Sequence, residues 1–301
     1  MDIHRTASER FVGLPDFPWE ARYIEWQGMR LAAIDEGAGA PVVLFHGEPT
    51  WSFLYRKMIR PLLEAGHRCI APDYPGFGRS DKPTDLAWYS YDRHCEAMAH
   101  LLGEFGVEDA TFVVQDWGGP IGMRLAVEHP ELCSRLVVMN TGLFTGEQTM
   151  SDAWWAFRNF VERTEDLPVG FLVKGACASD PSDEIIAGYE APFDSTASKA
   201  GARAFPLLLA TSPDAPGAAA GRATAEALRD DARPVLVLWG EQDPVITPKA
   251  GTALSKRLGW PQPELFSEAS HFLQEDSGEA LAGRIIAWLG DLPDGGAARR
   301  R

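Results

Sequence analysis

Apolar residues collect in a few short continuous runs separated by glycine, proline and charge. Pro41-Val42-Val43-Leu44-Phe45, Phe112-Val113-Val114, Leu136-Val137-Val138-Met139 and Val235-Leu236-Val237-Leu238-Trp239 show no polar alternation. Runs of this length predict strands covered on both faces, as in a parallel sheet flanked by helices. Residues 68–71 and 264–266 predict two more strands, and 21–26 with 30–36 predict an antiparallel pair around Gln27-Gly28 at one edge. Helical patterns fall at 52–64, 92–105 and from Gly118 through Met123, Leu125, Ala126 and Glu128. Strand and helix alternating in one direction specify an α/β fold, an eight-stranded mostly parallel sheet with helices on both faces.

Residues 145–231 break this pattern. Tryptophan, phenylalanine, alanine and proline recur there at helical spacing without a strand signal, which predicts an all-helical insertion after the sixth strand. The expected division is 1–144 and 232–301 for the sheet-bearing part and 145–231 for a helical cap. An amphipathic helix over 279–289 closes the fold, and 295–301 reads as a disordered tail.

Composition narrows the setting. A chain of 301 residues, 45% hydrophobic and 24% charged, is globular and buries a large core. The formal charge of −15 argues against nucleic acid or an anionic membrane as a partner. Met1-Asp2-Ile3-His4-Arg5 lacks the apolar run of a signal peptide, and no stretch reaches the roughly 18 apolar residues of a membrane span. A cytoplasmic protein is expected. Cys69, Cys95, Cys133 and Cys177 have no metal-like spacing and read as reduced packing residues, so neither metal nor cofactor is expected.

The segment Val114-Gln115-Asp116-Trp117-Gly118-Gly119 joins a buried strand to a helix through a sharp turn. A side chain at such an apex is pushed out over the end of the sheet, and small neighbours let the backbones approach. The apex is Asp116, which gives a nucleophile elbow with a carboxylate in place of the usual serine. Val114 stands where the motif expects its first glycine, and an ordinary strand-turn-helix joint is the plain alternative. Asp243 and His271 also directly follow strands, at the same end of the sheet. Catalytic groups in open parallel sheets gather there, and the chain order nucleophile, acid, histidine is that of an α/β-hydrolase triad. His271 would be the base and Asp243 its orienting partner. Singly, Asp243 reads as a helix cap and His271 as a satisfied loop histidine; their joint placement favours the triad.

A carboxylate nucleophile restricts the chemistry. A serine attacking a saturated carbon would give an ether that water does not readily cleave, whereas a carboxylate gives an ester that a histidine-activated water hydrolyses. The substrate therefore carries an electrophilic sp3 carbon, as alkyl halides and epoxides do. A halide needs hydrogen-bond donors, while an epoxide oxygen needs a proton. Trp117, beside the nucleophile, supplies an indole N–H. Glu48, as an ionised carboxylate that only accepts hydrogen bonds, offers a halide little through its side chain, so a second donor must come from elsewhere, and the insertion supplies Trp154 and Trp155 near its start. Core packing accounts for either tryptophan equally well. The main-chain N–H groups of Glu48 and Trp117 form the expected oxyanion hole.

Four segments then carry a resemblance: His46-Gly47-Glu48-Pro49-Thr50-Trp51, residues 73–83, Val114 to Gly119, and Ser270-His271-Phe272-Leu273-Gln274-Glu275. Together they closely resemble haloalkane dehalogenases of the α/β-hydrolase superfamily, over about residues 20–290. The likeness is to the subfamily with glutamate in the first of these loops and the acid after the seventh strand. Asn140 follows the sixth strand, where other members carry the acid, which leaves Asp243. Phe157 falls where the subfamily has its second halide-binding tryptophan, so Trp154 is the expected substitute, with Trp155 in reserve. The resemblance implies conversion of a haloalkane and water to a primary alcohol and halide through an alkyl-aspartate ester. That reaction needs no cofactor, and a monomer is expected. Phe144, Phe160, Leu172, Val173 and Leu273 are possible cavity residues. An epoxide hydrolase is the neighbouring alternative, although the insertion has one tyrosine, Tyr189, where that chemistry normally uses two. A ligand-binding protein without turnover is a more distant one.

Overall fold

The computed structural model describes residues 2–292, so the tail predicted at 295–301 lies outside the described residues. Eight strands form one sheet: β1 (Arg22–Trp26), β2 (Met29–Glu36), β3 (Pro41–Phe45), β4 (Arg68–Asp73), β5 (Ala110–Gln115), β6 (Cys133–Met139), β7 (Val235–Gly240) and β8 (Glu264–Phe266). Their spatial order is β1-β2-β4-β3-β5-β6-β7-β8. β2 runs antiparallel to β1 and β4, and every pair from β4 to β8 is parallel. Every residue of β5 is buried, as its unbroken apolar pattern requires for a strand covered on both faces.

Register sets the position of the site. Phe45, Val114, Val138 and Val237 are lateral neighbours across β3, β5, β6 and β7, so these four strands end together at one edge. The loops leaving that edge start at His46, Asp116, Asn140 and Glu241, which brings side chains far apart in sequence into one place.

Helices α1 (Arg56–Glu64), α2 (Tyr91–Glu104) and α3 (Gly118–Glu128) connect the central strands. Between β6 and β7 lie α4 (Asp152–Arg163), α5 (Val169–Gly175), α6 (Asp183–Glu190), α7 (Ala200–Leu208) and α8 (Ala218–Arg229), the helical stretch that the spacing of aromatics and alanines predicts. Ser151 caps α4 by accepting the Trp154 N–H at 3.1 Å, which fixes the first turn of that helix. Helices α9 (Pro248–Leu258) and α10 (Leu273–Asp291) complete the chain.

Two features depart from the sequence reading. α10 begins six residues before the expected 279, with non-helical backbone at Ser277; its first turn contains buried Gln274 and Glu275, whose polarity hides the helix from an apolar pattern. In addition, Ile3–His4 pairs with Lys82–Pro83 in a small separate ribbon.

A buried ionic knot joins three of these helices. Arg56 donates to both oxygens of Glu275 at 2.7 and 2.8 Å, and the Tyr189 hydroxyl donates to the same carboxylate at 2.6 Å. Burial opposes the Glu275 charge, but Arg56 outweighs it and holds the carboxyl at about 2. α1, α10 and α6 are thereby tied at one point, where loss of the Glu275 charge would strand Arg56 in the interior. Among the described residues no helix is long and apolar enough to cross a membrane.

Candidate active site

Asp116 leaves β5 in the left-handed region, with φ of 48°, and Asn140 leaves β6 likewise, with φ of 32°. Aspartate and asparagine tolerate that backbone better than branched residues. The two turns hold each other: the Asp116 N–H donates to Asn140 O at 3.1 Å, and the Thr141 hydroxyl donates to Asp116 O at 2.5 Å. Close approach is needed on two sides. A Cβ on Gly47 would lie 2.3 Å from that of Asp116, and one on Gly122 would lie 2.5 Å from Val114 Cγ1. Gly122 therefore makes the room that lets valine occupy the position where the elbow motif expects glycine.

Asp116, His271 and Asp243 converge. The Glu48 N–H donates to Asp116 Oδ1 at 2.8 Å, while Oδ2 stands 3.6 Å from His271 Nε2. On the far side of the ring, His271 Nδ1 lies 2.9 Å from Asp243 Oδ2. That carboxylate accepts, so Nδ1 carries the proton and Nε2 is the nitrogen turned to Asp116. Asp243 Oδ1 accepts the N–H groups of Val245 and Ile246 at 2.7 and 3.0 Å.

The electrostatics follow from this layout. Burial works against a charged His271, but Asp243 and Asp116 outweigh it and raise the imidazole to about 10. Burial, followed by the Asp116 charge, pushes the Glu48 carboxyl well above the usual carboxylate range, with His271 acting the other way. Its Oε1 is occluded and has no partner among the described residues. The sequence argument treats this side chain as an ionised acceptor; buried beside Asp116 it favours the neutral form, which carries an O–H.

Trp117 is buried and stacks on Phe205 of α7, with ring centres 4.8 Å apart and planes 8° apart. α4 packs on α7. The two candidate tryptophans of α4 point differently: Trp154 is 7% exposed and joins the main core, whereas Trp155 is 39% exposed. Phe157 is partly buried against that core on the Trp154 side of the helix. Phe144 lies against Trp117, with centres 5.8 Å apart, whereas Phe160 is exposed.

Sequence reasoning used Asn140 merely to exclude an acid after β6. In the folded chain its Nδ2 donates to Asp243 Oδ2 and Ser270 O, both at 2.9 Å, and its Oδ1 accepts the Gly240 N–H at 2.8 Å. Gln115, the residue before the elbow, donates to His271 O at 3.1 Å. The signal for both was positional: each is a polar residue at the end of a buried apolar strand. Nothing comparable marked Arg56 and Glu275, which are 219 residues apart.

A carboxylate above a strand end, facing an imidazole held by a second carboxylate, can attack an electrophilic carbon and then direct water at the resulting ester. Comparison with known proteins identifies the family. The family model for the alpha/beta hydrolase fold matches residues 40–278. The chain is 44% identical over 297 residues to a haloalkane dehalogenase of Mycobacterium marinum, covering 96% of this chain and all of the other. It is 37% identical over 303 residues to one of Psychrobacter cryohalolentis, covering 97% and 100%. Among solved structures, the tetrameric haloalkane dehalogenase DpaA from Paraglaciecola agarilytica superposes with a TM-score of 0.90 at 32% identity, covering 95% of this chain and 98% of that one. With the fold, the order of its strands and full-length identities of this size in agreement, the chain belongs to the haloalkane dehalogenase family of the alpha/beta hydrolases.

Proposed function

We propose that the protein hydrolyses haloalkanes to a primary alcohol and halide, with Asp116 as nucleophile, His271 as base and Asp243 as the acid that orients it. The observation that carries this reading is the placement of Asp116: one oxygen is held by the Glu48 N–H and the other faces His271 Nε2 at 3.6 Å. Asp116 Oδ2 attacks the halogen-bearing carbon in line, the carbon–halogen bond breaks with its electron pair, and an alkyl ester of Asp116 remains. The Trp117 indole N–H receives the departing anion. Trp154 is the second donor from the helical cap of residues 145–231, because its side chain turns inward where that of Trp155 turns out.

Ester formation also changes the base. The Asp116 carboxylate is one of the two charges that hold His271 protonated; once it is esterified that charge is gone, and the imidazole gives up its proton more readily. Neutral His271 then takes a proton from water as the water oxygen attacks Asp116 Cγ. The developing oxyanion sits on Oδ1, which already faces the Glu48 N–H, with the Trp117 N–H completing the hole. Collapse breaks the Cγ–Oδ2 bond, the protonated His271 returns its proton to the departing oxygen to give the alcohol, and one solvent oxygen stays in Asp116.

The epoxide reading loses support from Tyr189, whose hydroxyl is buried and committed to Glu275. We infer a monomer, because a charge of −15 opposes self-association; the tetramer of the Paraglaciecola agarilytica relative makes size-exclusion chromatography the direct check. A cytoplasmic location accords with four cysteines that are all unpaired. Incubating His271→Phe with 1-bromobutane tests the mechanism. Intact-protein mass spectrometry should find one butyl adduct per chain on Asp116, and a wild type that releases no bromide from a panel of bromoalkanes would overturn the reading.

A further inference from the structure

The loop that carries His271 is bonded directly to the helical cap. The His271 N–H donates to Ala176 O at 3.0 Å, and Ala176 is the residue that ends α5. Five residues beyond the histidine, Asp276 gathers the neighbouring backbone. Its Oδ1 accepts the N–H and hydroxyl of Ser179 at 2.8 and 2.6 Å, and its Oδ2 accepts the Ala178 N–H and the Ser270 N–H, both at 2.9 Å. One carboxylate thus satisfies donors from the cap loop after α5 and from the residue immediately before the base. Charge-assisted bonds of this kind are about twice as strong as neutral ones, and four on one side chain fix its place.

We propose that Asp276 is a positioning residue for the hydrolytic half of the reaction, a clamp that sets the orientation of His271 from the cap. The clamp joins the 178–179 loop to the segment that carries the histidine. With Asp276 replaced, Ser270 N–H and Ala178 N–H lose their shared acceptor; the histidine loop keeps the Ala176 contact, the Asp243 bond, the Gln115 contact to His271 O, and the bonds of Ser270 to Asn140 and Gln242, but its polar tie to the 178–179 loop is gone. Displacement of the ring by a fraction of an ångström matters for a base that must meet a water and the ester carbon together. It matters little for displacement of halide by Asp116, in which His271 moves no proton. Alkylation and hydrolysis therefore separate.

The inference rests on the hydrolytic role proposed for His271, and the test keeps the two apart. In rapid mixing of 1-bromobutane with the full chain, Asp276→Ala should release the first bromide within about twofold of the wild-type rate, while steady turnover falls about tenfold. Asp276→Asn, which keeps one acceptor oxygen, should recover part of that loss. Ser179→Ala removes the 2.6 Å bond alone and should show the same split in smaller measure, which carries the test where Asp276→Ala does not fold. The downfield proton signal of the His271 Nδ1–H bonded to Asp243 is a readout independent of turnover: it should shift in Asp276→Ala. Equal slowing of both steps, slowing of alkylation alone, or no slowing would overturn the clamp. Where the wild type itself releases no bromide, the proton signal decides, and an unmoved signal overturns it.

Discussion

Two aspartates face the same imidazole from opposite sides, and their surroundings differ in kind. The Asp243 carboxylate is wholly enclosed and takes four donors: Val245 N–H, Ile246 N–H, Asn140 Nδ2 and His271 Nδ1. The Asp116 carboxylate is 15% exposed, holds one backbone N–H on Oδ1, and leaves Oδ2 3.6 Å from the ring. A saturated carboxylate is a fixed charge and a poor nucleophile; an undersupplied one keeps a lone pair free for an incoming carbon. Residue type is the same in both places. The loop around each one supports the different role proposed for it.

That contrast breaks most completely at the nucleophile. Asp116→Asn should lower turnover by roughly 10⁴-fold or more, measured as bromide release. The same variant removes one of the two charges that lift His271 to about 10, so the imidazole should titrate lower by about one pH unit or more, read by NMR. The sign of the stability effect follows. A raised histidine contributes stability that is complete below 6.5 and is lost as pH rises through about 10, so wild type should lose more stability than Asp116→Asn across that window.

The enclosed side breaks differently. Asp243→Asn keeps Asp116 intact but no longer holds Nδ1 protonated, so hydrolysis should slow by roughly 10³- to 10⁴-fold while alkylation continues. Mass spectrometry should then find the alkyl ester accumulating. Asn140→Ala sharpens the comparison with a smaller change. It leaves Asp243 one donor short and the Gly240 N–H without an acceptor, at a cost of about 1–3 kcal/mol by denaturant unfolding, with turnover reduced less than in Asp243→Asn.

Much of this was legible in the chain because buried parallel strands announce themselves. β3, β5, β6 and β7 are unbroken apolar runs, and a residue just past such a run lands at the edge of the sheet, so Asp116 and Asp243 were placed by position alone. What the chain did not disclose falls into two kinds. Partners brought together from 219 residues apart, as Arg56 and Glu275 are, leave no local period to read. Ionisation is the other: burial beside Asp116 raises the Glu48 carboxyl well above the range it has in water, and sequence does not say which surroundings it meets. For α4 the sequence favoured Trp154 over Trp155, and the helix set against α7 buries Trp154 while leaving Trp155 39% exposed.

The helical stretch between β6 and β7 is moored unevenly. Polar attachments to the rest of the chain crowd into residues 176–194: Trp51 Nε1 to Gly188 O, Tyr189 to Glu275, Arg10 to Ala191 O, Thr6 to Pro192 O, and the 176–179 loop to the histidine segment. Where α7 meets the sheet-bearing part, the contacts are apolar, Phe205 on Trp117 and Tyr89 among Ala200 and Ala204. The attachments around α6 are directional and those of α7 are not, so a shift of this stretch would break named bonds at one end and only repack side chains at the other.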